Sequence, residues 1–188
     1  MPTKRDKILE TAKRLFTKNG FASTPTSLIA KEAGVATGTL FHHFKSKDKL
    51  IHALYMTIYE SIVARHEKNY NALAPLREKI RTLWMTDLEW GLSNVEDSQF
   101  LERFSVYYHA SEMTTQEVFR RFQFFSDIFD EGVVSDQLDL PSTEDYAVNH
   151  FVWNVRMNIQ YFINHHDFDT PQNREKSFEI YWKGIRRD

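Results

Sequence analysis

Apolar residues recur every three or four positions along almost the whole chain, and there is no convincing run of alternating β-branched residues. A period near 3.6 commits a chain to amphipathic helices, because it gathers side chains on one helical face and would scatter them over both faces of a strand. Four internal prolines, at 25, 75, 141 and 171, stand where the periodicity resets and cut the chain into helical blocks. The fold class read from this pattern is all-α, with about nine helices. The 188 residues suffice for one or two compact domains.

The absence of cysteine excludes a disulfide framework, a thiol redox switch, a Cys-ligated zinc and a cysteine nucleophile. No apolar run approaches the roughly 18 to 20 residues that span a bilayer, and Met1-Pro2-Thr3-Lys4-Arg5 leads into no signal-peptide core. The expected location is therefore cytoplasmic, with no membrane partner.

The first helix is expected from about Thr3 to Asn19, with Ile8, Ala12, Leu15 and Phe16 on one face and Gly20 as its stop. Thr24-Pro25 reads as an N-cap followed by proline at the first helical position, opening a short helix that Gly34 ends. A third short helix covers about Thr37 to Phe44, and a longer fourth begins near Ser46. Beyond residue 70 the stripes become aromatic. Leu76 to Leu88, Phe100 to Tyr108 and Val118 to Phe129 mark three helices. Pro141-Ser142-Thr143-Glu144-Asp145 starts another that reaches about His165, and Thr170-Pro171 opens the last.

Charge is distributed unevenly. Residues 1–49 carry ten Lys/Arg against four Asp/Glu, so the net −2 of the whole chain conceals a basic head on an acidic body. Such a head suits a polyanion, although Lys-rich helical surfaces are also common for no reason beyond solubility.

Within that head, two short helices joined by Gly34-Val35-Ala36 meet the needs of a helix-turn-helix: a tight turn, a small packing residue and a second helix with one apolar edge. At about 100° per residue, Leu40 and Phe44 share the inward edge, while Gly38 and His42 lie nearly opposite and Thr39 and Phe41 flank them. Thr37, Gly38, Thr39 and His42 would then face a major groove, with the glycine letting the backbone come close.

The residues Gly20-Phe21, Thr24, Ile29-Ala30, Ala33-Gly34-Val35, Gly38-Thr39-Leu40-Phe41, His43-Phe44-Lys45-Ser46-Lys47 and Leu50 closely resemble the N-terminal signature of the TetR/AcrR family of bacterial transcriptional repressors. The resemblance covers about residues 5–55. It implies a homodimeric, ligand-responsive regulator, with a helix-turn-helix DNA-binding domain over 1–46 and a helical effector-binding and dimerisation domain over 47–188. By the same resemblance Thr26 would contact phosphate, Thr37, Gly38, Thr39 and His42 would reach bases or nearby phosphates, and Phe41, His43 and Lys47 would grip the backbone of operator DNA. The family often has serine, lysine and tyrosine where Ala36, Thr37 and Phe41 stand. Phosphate anchoring is therefore expected to lean on Lys4, Arg5, Lys45, Lys47 and Lys49.

Other constellations weigh less. His42 and His43 are adjacent on a helix, diverge by about 100° and chelate one ion poorly. His165-His166-Asp167 with Asp169 has metal-ligand residue types, but a solvated turn at the helix end is the favoured explanation. There is no nucleophile elbow, phosphate loop, dinucleotide fingerprint or His-Glu-x-x-His, so neither catalysis nor a cofactor or metal is expected.

Fifteen Phe, eight Tyr and four Trp exceed what a small helical core needs, which fits an aromatic-walled cavity between about residues 76 and 160. Trp84, Phe104, Tyr107, Tyr108, Phe122, Phe125 and Trp153 are its candidate walls for a small, largely apolar or aromatic effector. Arg103 and Arg156 would hold an anionic head group, with an internal salt bridge as the alternative. The last two helices have apolar stripes that one small domain does not easily bury, and pairing them across a two-fold axis would give a four-helix bundle with Val155, Ile159, Tyr181 and Trp182 at the interface. The rival function is a ligand-free nucleoid or interaction module that keeps the DNA-binding head and uses the acidic body only to dimerise or hold a protein.

Overall fold

The computed structural model of the chain describes residues 2–107, 123–141 and 146–187. These form nine α-helices: α1 (Lys4–Asn19), α2 (Thr26–Glu32), α3 (Thr37–His43), α4 (Lys47–Asn69), α5 (Leu76–Ser93), α6 (Val95–Tyr107), α7 (Gln123–Val134), α8 (Tyr146–Asn164) and α9 (Pro171–Ile185), with a single 3-10 turn at His166–Phe168. Among the described residues there is no strand, and one isolated bridge joins Leu138 to Arg186. The all-α expectation holds. The proposed helix start at residues 142–145 lies outside the described residues, as do Val118 and Phe122.

Two compact units emerge. The first holds α1, α2, α3, α4 as far as Glu60, and α6 from Glu96; the second holds α4 from Ser61, α5, α7, α8 and α9. The sequence reading set its boundary at 46/47, whereas this division falls within α4 and brings α6 beside the first helices. Aromatic packing explains it. The Phe21 ring meets Phe100 edge-on with centroids 5.6 Å apart, and Tyr55 stacks on Phe104 at 4.1 Å, so α4 and α6 complete a core that three short helices leave open.

In the first unit, α1 opens with a reciprocal cap. The Asp6 N–H donates to the Thr3 hydroxyl at 3.1 Å, and the Thr3 N–H donates to the Asp6 carboxylate at 2.9 Å. That backbone hydrogen bond holds the Asp6 carboxyl below its ordinary range. Ile8, Ala12, Leu15 and Phe16 are buried, and Gly20 ends the helix at φ +81°, a conformation costly for a side chain bearing Cβ. Thr24 corrects the sequence reading. It is not the N-cap of α2: Pro25 takes that place, and the buried Thr24 hydroxyl donates to the Gly20 carbonyl at 2.7 Å. The carbonyl left open at the end of α1 captured it.

In the second unit α5 packs against α7, α8 and α9. Trp84 is fully buried at the centre, its ring stacked on Tyr181 at 4.8 Å and its indole N–H donating to the Ser177 hydroxyl at 3.1 Å. Around it lie the buried rings of Phe125, Phe129, Phe151 and Phe178. Thr170 caps α9 by accepting from the Asn173 N–H at 3.2 Å, with Pro171 in the first turn, as the sequence predicts. Bidentate pairs tie the outside: Arg81 to Glu175 at 2.9 and 2.5 Å, and Arg174 to Asp169 at 2.6 and 2.7 Å.

Candidate nucleic-acid interface

The residues between α2 and α3 turn on Gly34, at φ +67°, which lets the Val35 N–H reach back to the Ala30 carbonyl at 3.0 Å. From there Ala36, extended at ψ 146°, leads into α3 without a side-chain cap, because alanine has no hydroxyl to supply one. Leu40 and Phe44 are buried against α1 and α2, and this fixes the rotation of α3 about its axis. The opposite face is open: Thr37, Gly38, Phe41, His42 and His43 are exposed, and Thr39 and Thr26 are half-buried. At Gly38 an added Cβ would meet nothing within 4 Å, so the backbone has clear space before it. The structure therefore collects Thr37, Gly38, Thr39 and His42 on one surface of a packed helix. That is the geometry a groove-reading helix requires.

Basic groups surround this surface. Lys4, Lys45 and Lys49 are exposed, and the Arg5 guanidinium lies over the Phe44 ring, 5.6 Å from its centroid. Lys47 departs from expectation. It is half-buried, and its ammonium donates to the Phe21 carbonyl, tying the start of α4 to the turn after α1. Its first task in this structure is structural. No local pattern marks this contact, because the partner is a backbone oxygen 26 residues away.

The expected effector residues that are described divide between the two units. Phe104 and Tyr107 belong to the first unit, where Phe104 is buried and Tyr107, 5.2 Å from Phe21, is exposed. Arg103 beside them is exposed. Trp84 and Phe125 are core residues of the second unit, and Arg156 is half-buried there. Tyr108 and Phe122 lie outside the described residues. Trp153 is 55% exposed and turns away from the interior that its neighbour Phe151 fills.

Three of the four expected interface positions lie in the interior of the second unit. Val155 and Ile159 are buried in their own unit, and Tyr181 packs on Trp84 and Phe151, so none is open to a second copy. Trp182 is half-buried. The apolar groups that are exposed on these helices are Tyr146, Trp153, Met157 and Tyr161 on α8 and Ile180 on α9, which the sequence reading missed. Phe151 and Trp153 lie about 200° apart round the helix, so α8 is apolar on two faces.

Among the described residues no three His, Asp or Glu side chains are grouped to hold a metal ion, and no helix is long and apolar enough to cross a membrane. His165 instead bonds the Tyr161 carbonyl through Nδ1 at 2.9 Å, and Asp169 is engaged by Arg174.

Comparison with known proteins falls on the same helices. Residues 8–54 match the family model described as bacterial regulatory proteins, tetR family. A crystal structure from Shewanella sp. PV-4, described as a tetR family transcription regulator, covers 100% of both chains at a TM-score of 0.88 and 28% identity. The HTH-type transcriptional repressor KstR2 of Mycolicibacterium smegmatis is 29% identical over 87 residues, 46% of this chain and 42% of that protein. The HTH-type transcriptional regulator UidR of Escherichia coli K12 is 41% identical over 61 residues, 32% of this chain and 31% of that protein. The matched part thus spans less than half the length of these two curated relatives.

Proposed function

The chain belongs to the tetR family of bacterial regulatory proteins, and from that premise we propose that it is a cytoplasmic transcriptional repressor that binds a palindromic operator as a homodimer and is released by a small, largely apolar effector. The observation that carries this reading is the outer face of α3, where Thr37, Gly38, Thr39 and His42 stand together on a helix locked by Leu40 and Phe44. Base edges are read by such side chains, and the exposed lysines and Arg5 around them supply the phosphate contacts that orient the helix in a groove.

Homodimer formation is supported by the exposed apolar face of α8 and α9, which falls on the same two helices whose apolar stripes the sequence reading pairs across a two-fold axis. The effector reading is supported by the aromatic interior of the second unit, where a polar ligand would lose water and find few partners. The experiment is selection of bound sequences from a random DNA library, followed by mobility-shift titration of the selected site. Recovery of a two-fold symmetric site bound far more tightly than scrambled DNA supports the reading. Recovery of sequences with no common motif overturns it.

A further inference from the structure

His66 is 1% exposed near the end of α4, and its Nε2 lies 2.7 Å from an Asp87 carboxylate oxygen on α5. Beside this pair the Asn69 amide donates to the buried Thr86 hydroxyl at 3.2 Å, fastening the same turns of the two helices. The other ring nitrogen, Nδ1, is buried and has no hydrogen-bond partner among the described residues. Its surroundings are aromatic: Phe125 meets the imidazole edge-on at 4.8 Å, Phe124 lies at 6.2 Å, and Tyr70 is 5.7 Å beyond Phe124. All of these residues belong to the second unit.

A buried nitrogen without a partner is destabilising relative to one that is hydrogen-bonded, and such groups in native proteins call for a physical account. Asp87 supplies half of it. A carboxylate accepts only, so it accepts the hydrogen bond that the Nε2–H donates, and the tautomer it selects has its lone pair on Nδ1, held in a fixed direction. A lone pair among phenyl rings selects for a donor.

We propose that His66 Nδ1 is the polar anchor of the effector site, and that the effector class is a small aromatic or otherwise apolar molecule carrying one hydroxyl or N–H donor, with Asp87 as the positioning residue that sets the tautomer. This rests on the effector reading above and narrows it. Apolar surface supplies affinity against Phe124 and Phe125, and the single donor supplies the discrimination, because an analogue without it leaves Nδ1 buried and unpaired.

The test uses the full chain and two probes of similar size, 2-naphthol and 2-methoxynaphthalene, both with one oxygen but only the first a donor. Tryptophan quenching is expected to show 2-naphthol binding about tenfold or more tightly, the equivalent of one satisfied hydrogen bond. His66→Phe keeps an aromatic ring and should bind both probes equally. Asp87→Asn, which releases the tautomer, should shrink the preference while leaving binding of 2-methoxynaphthalene in place. Because a substitution at a buried site can unfold the unit, nitrogen NMR of the unmodified, histidine-labelled protein provides a second readout: the His66 Nδ1 resonance should be that of an unprotonated nitrogen and move on addition of 2-naphthol. Equal binding of both probes by the unmodified protein, or an Nδ1 signal that ignores 2-naphthol, overturns the anchor and leaves the effector reading intact. Binding of neither probe overturns both.

Discussion

Gly91 on α5 and Ile159 on α8 are in such close register that a Cβ added to the glycine would lie 2.6 Å from the Ile159 Cδ1 and 2.8 Å from its Cγ2. The two helices approach at that point because one of them has no side chain there. Gly91→Ala should therefore destabilise the protein through overpacking, which costs about 1–3 kcal/mol and outweighs the roughly 0.5–1 kcal/mol that alanine in place of glycine normally adds to a helix. Ile159→Val, or Ile159→Ala in the same chain, should recover part of the loss. Denaturant unfolding of the single and double variants would measure this coupling; simple additivity would mean that the contact is not formed.

At the DNA face, the exposed and the engaged lysines should separate. Lys45→Ala or Lys49→Ala should weaken binding to every sequence alike and flatten the salt dependence by about one phosphate contact per subunit. His42→Ala should instead relax the preference for the selected site over its single-base variants. Lys47→Ala should lower stability by on the order of 1 kcal/mol, because the Phe21 carbonyl loses its donor, alongside whatever it does to affinity. Mobility shifts at several salt concentrations and thermal melts distinguish the three behaviours.

The sequence made the first unit legible because its constraints are local. Gly20 and Gly34 adopt positive φ and stop helices where the sequence predicts, and Leu40 with Phe44 fixes which face of α3 is open. Thr24 escaped because a threonine before proline is an ordinary cap signal, while the carbonyl that captured its hydroxyl becomes available only when α1 ends at Gly20. In the second unit the difficulty was different. On α8 the residues Phe151, Val155 and Ile159 and the residues Trp153, Met157 and Tyr161 form two apolar stripes, and periodicity alone does not say which faces inward. Gly91 settles it, by admitting Ile159, and that pairing is a tertiary fact.

Acid should loosen the outer ties of the second unit. The Arg174 side chain, hydrogen-bonded to Asp169, holds that carboxyl below its ordinary 3.8, and the Arg81 side chain does the same for Glu175 against an ordinary 4.5. A carboxyl whose folded pKa is depressed adds stability that is fully present above its unfolded value and is lost as pH falls through the folded one. Stability should thus be level from neutrality to about pH 5 and decline below it, with each of these surface-facing pairs contributing no more than about 1 kcal/mol. Asp169→Asn and Glu175→Gln should each lower stability at pH 7 and reduce its slope between about pH 4.5 and 2.5. Urea unfolding across that range would detect it, and an unchanged slope in the double variant would show that other carboxylates govern acid denaturation.

The two faces of α8 make opposite predictions for the same kind of substitution. Trp153 and Met157 are 55% and 63% exposed, so a glutamate at either position meets water in the isolated chain and should leave folding intact. If this face joins two copies, the same glutamate is buried on association, where an unpaired charge costs several kcal/mol and shifts a micromolar equilibrium to monomer. Val155 is 2% exposed, and a glutamate there should unfold the second unit before assembly is at issue. Met157→Glu is therefore expected to keep its helical circular dichroism and melting behaviour, to scatter light as a monomer and to lose tight binding to the symmetric operator, since one recognition helix holds one half-site. Val155→Glu is expected to lose the helical signal itself. A Met157→Glu protein that still scattered as a dimer and bound the operator undiminished would place the dimer contact elsewhere on the chain.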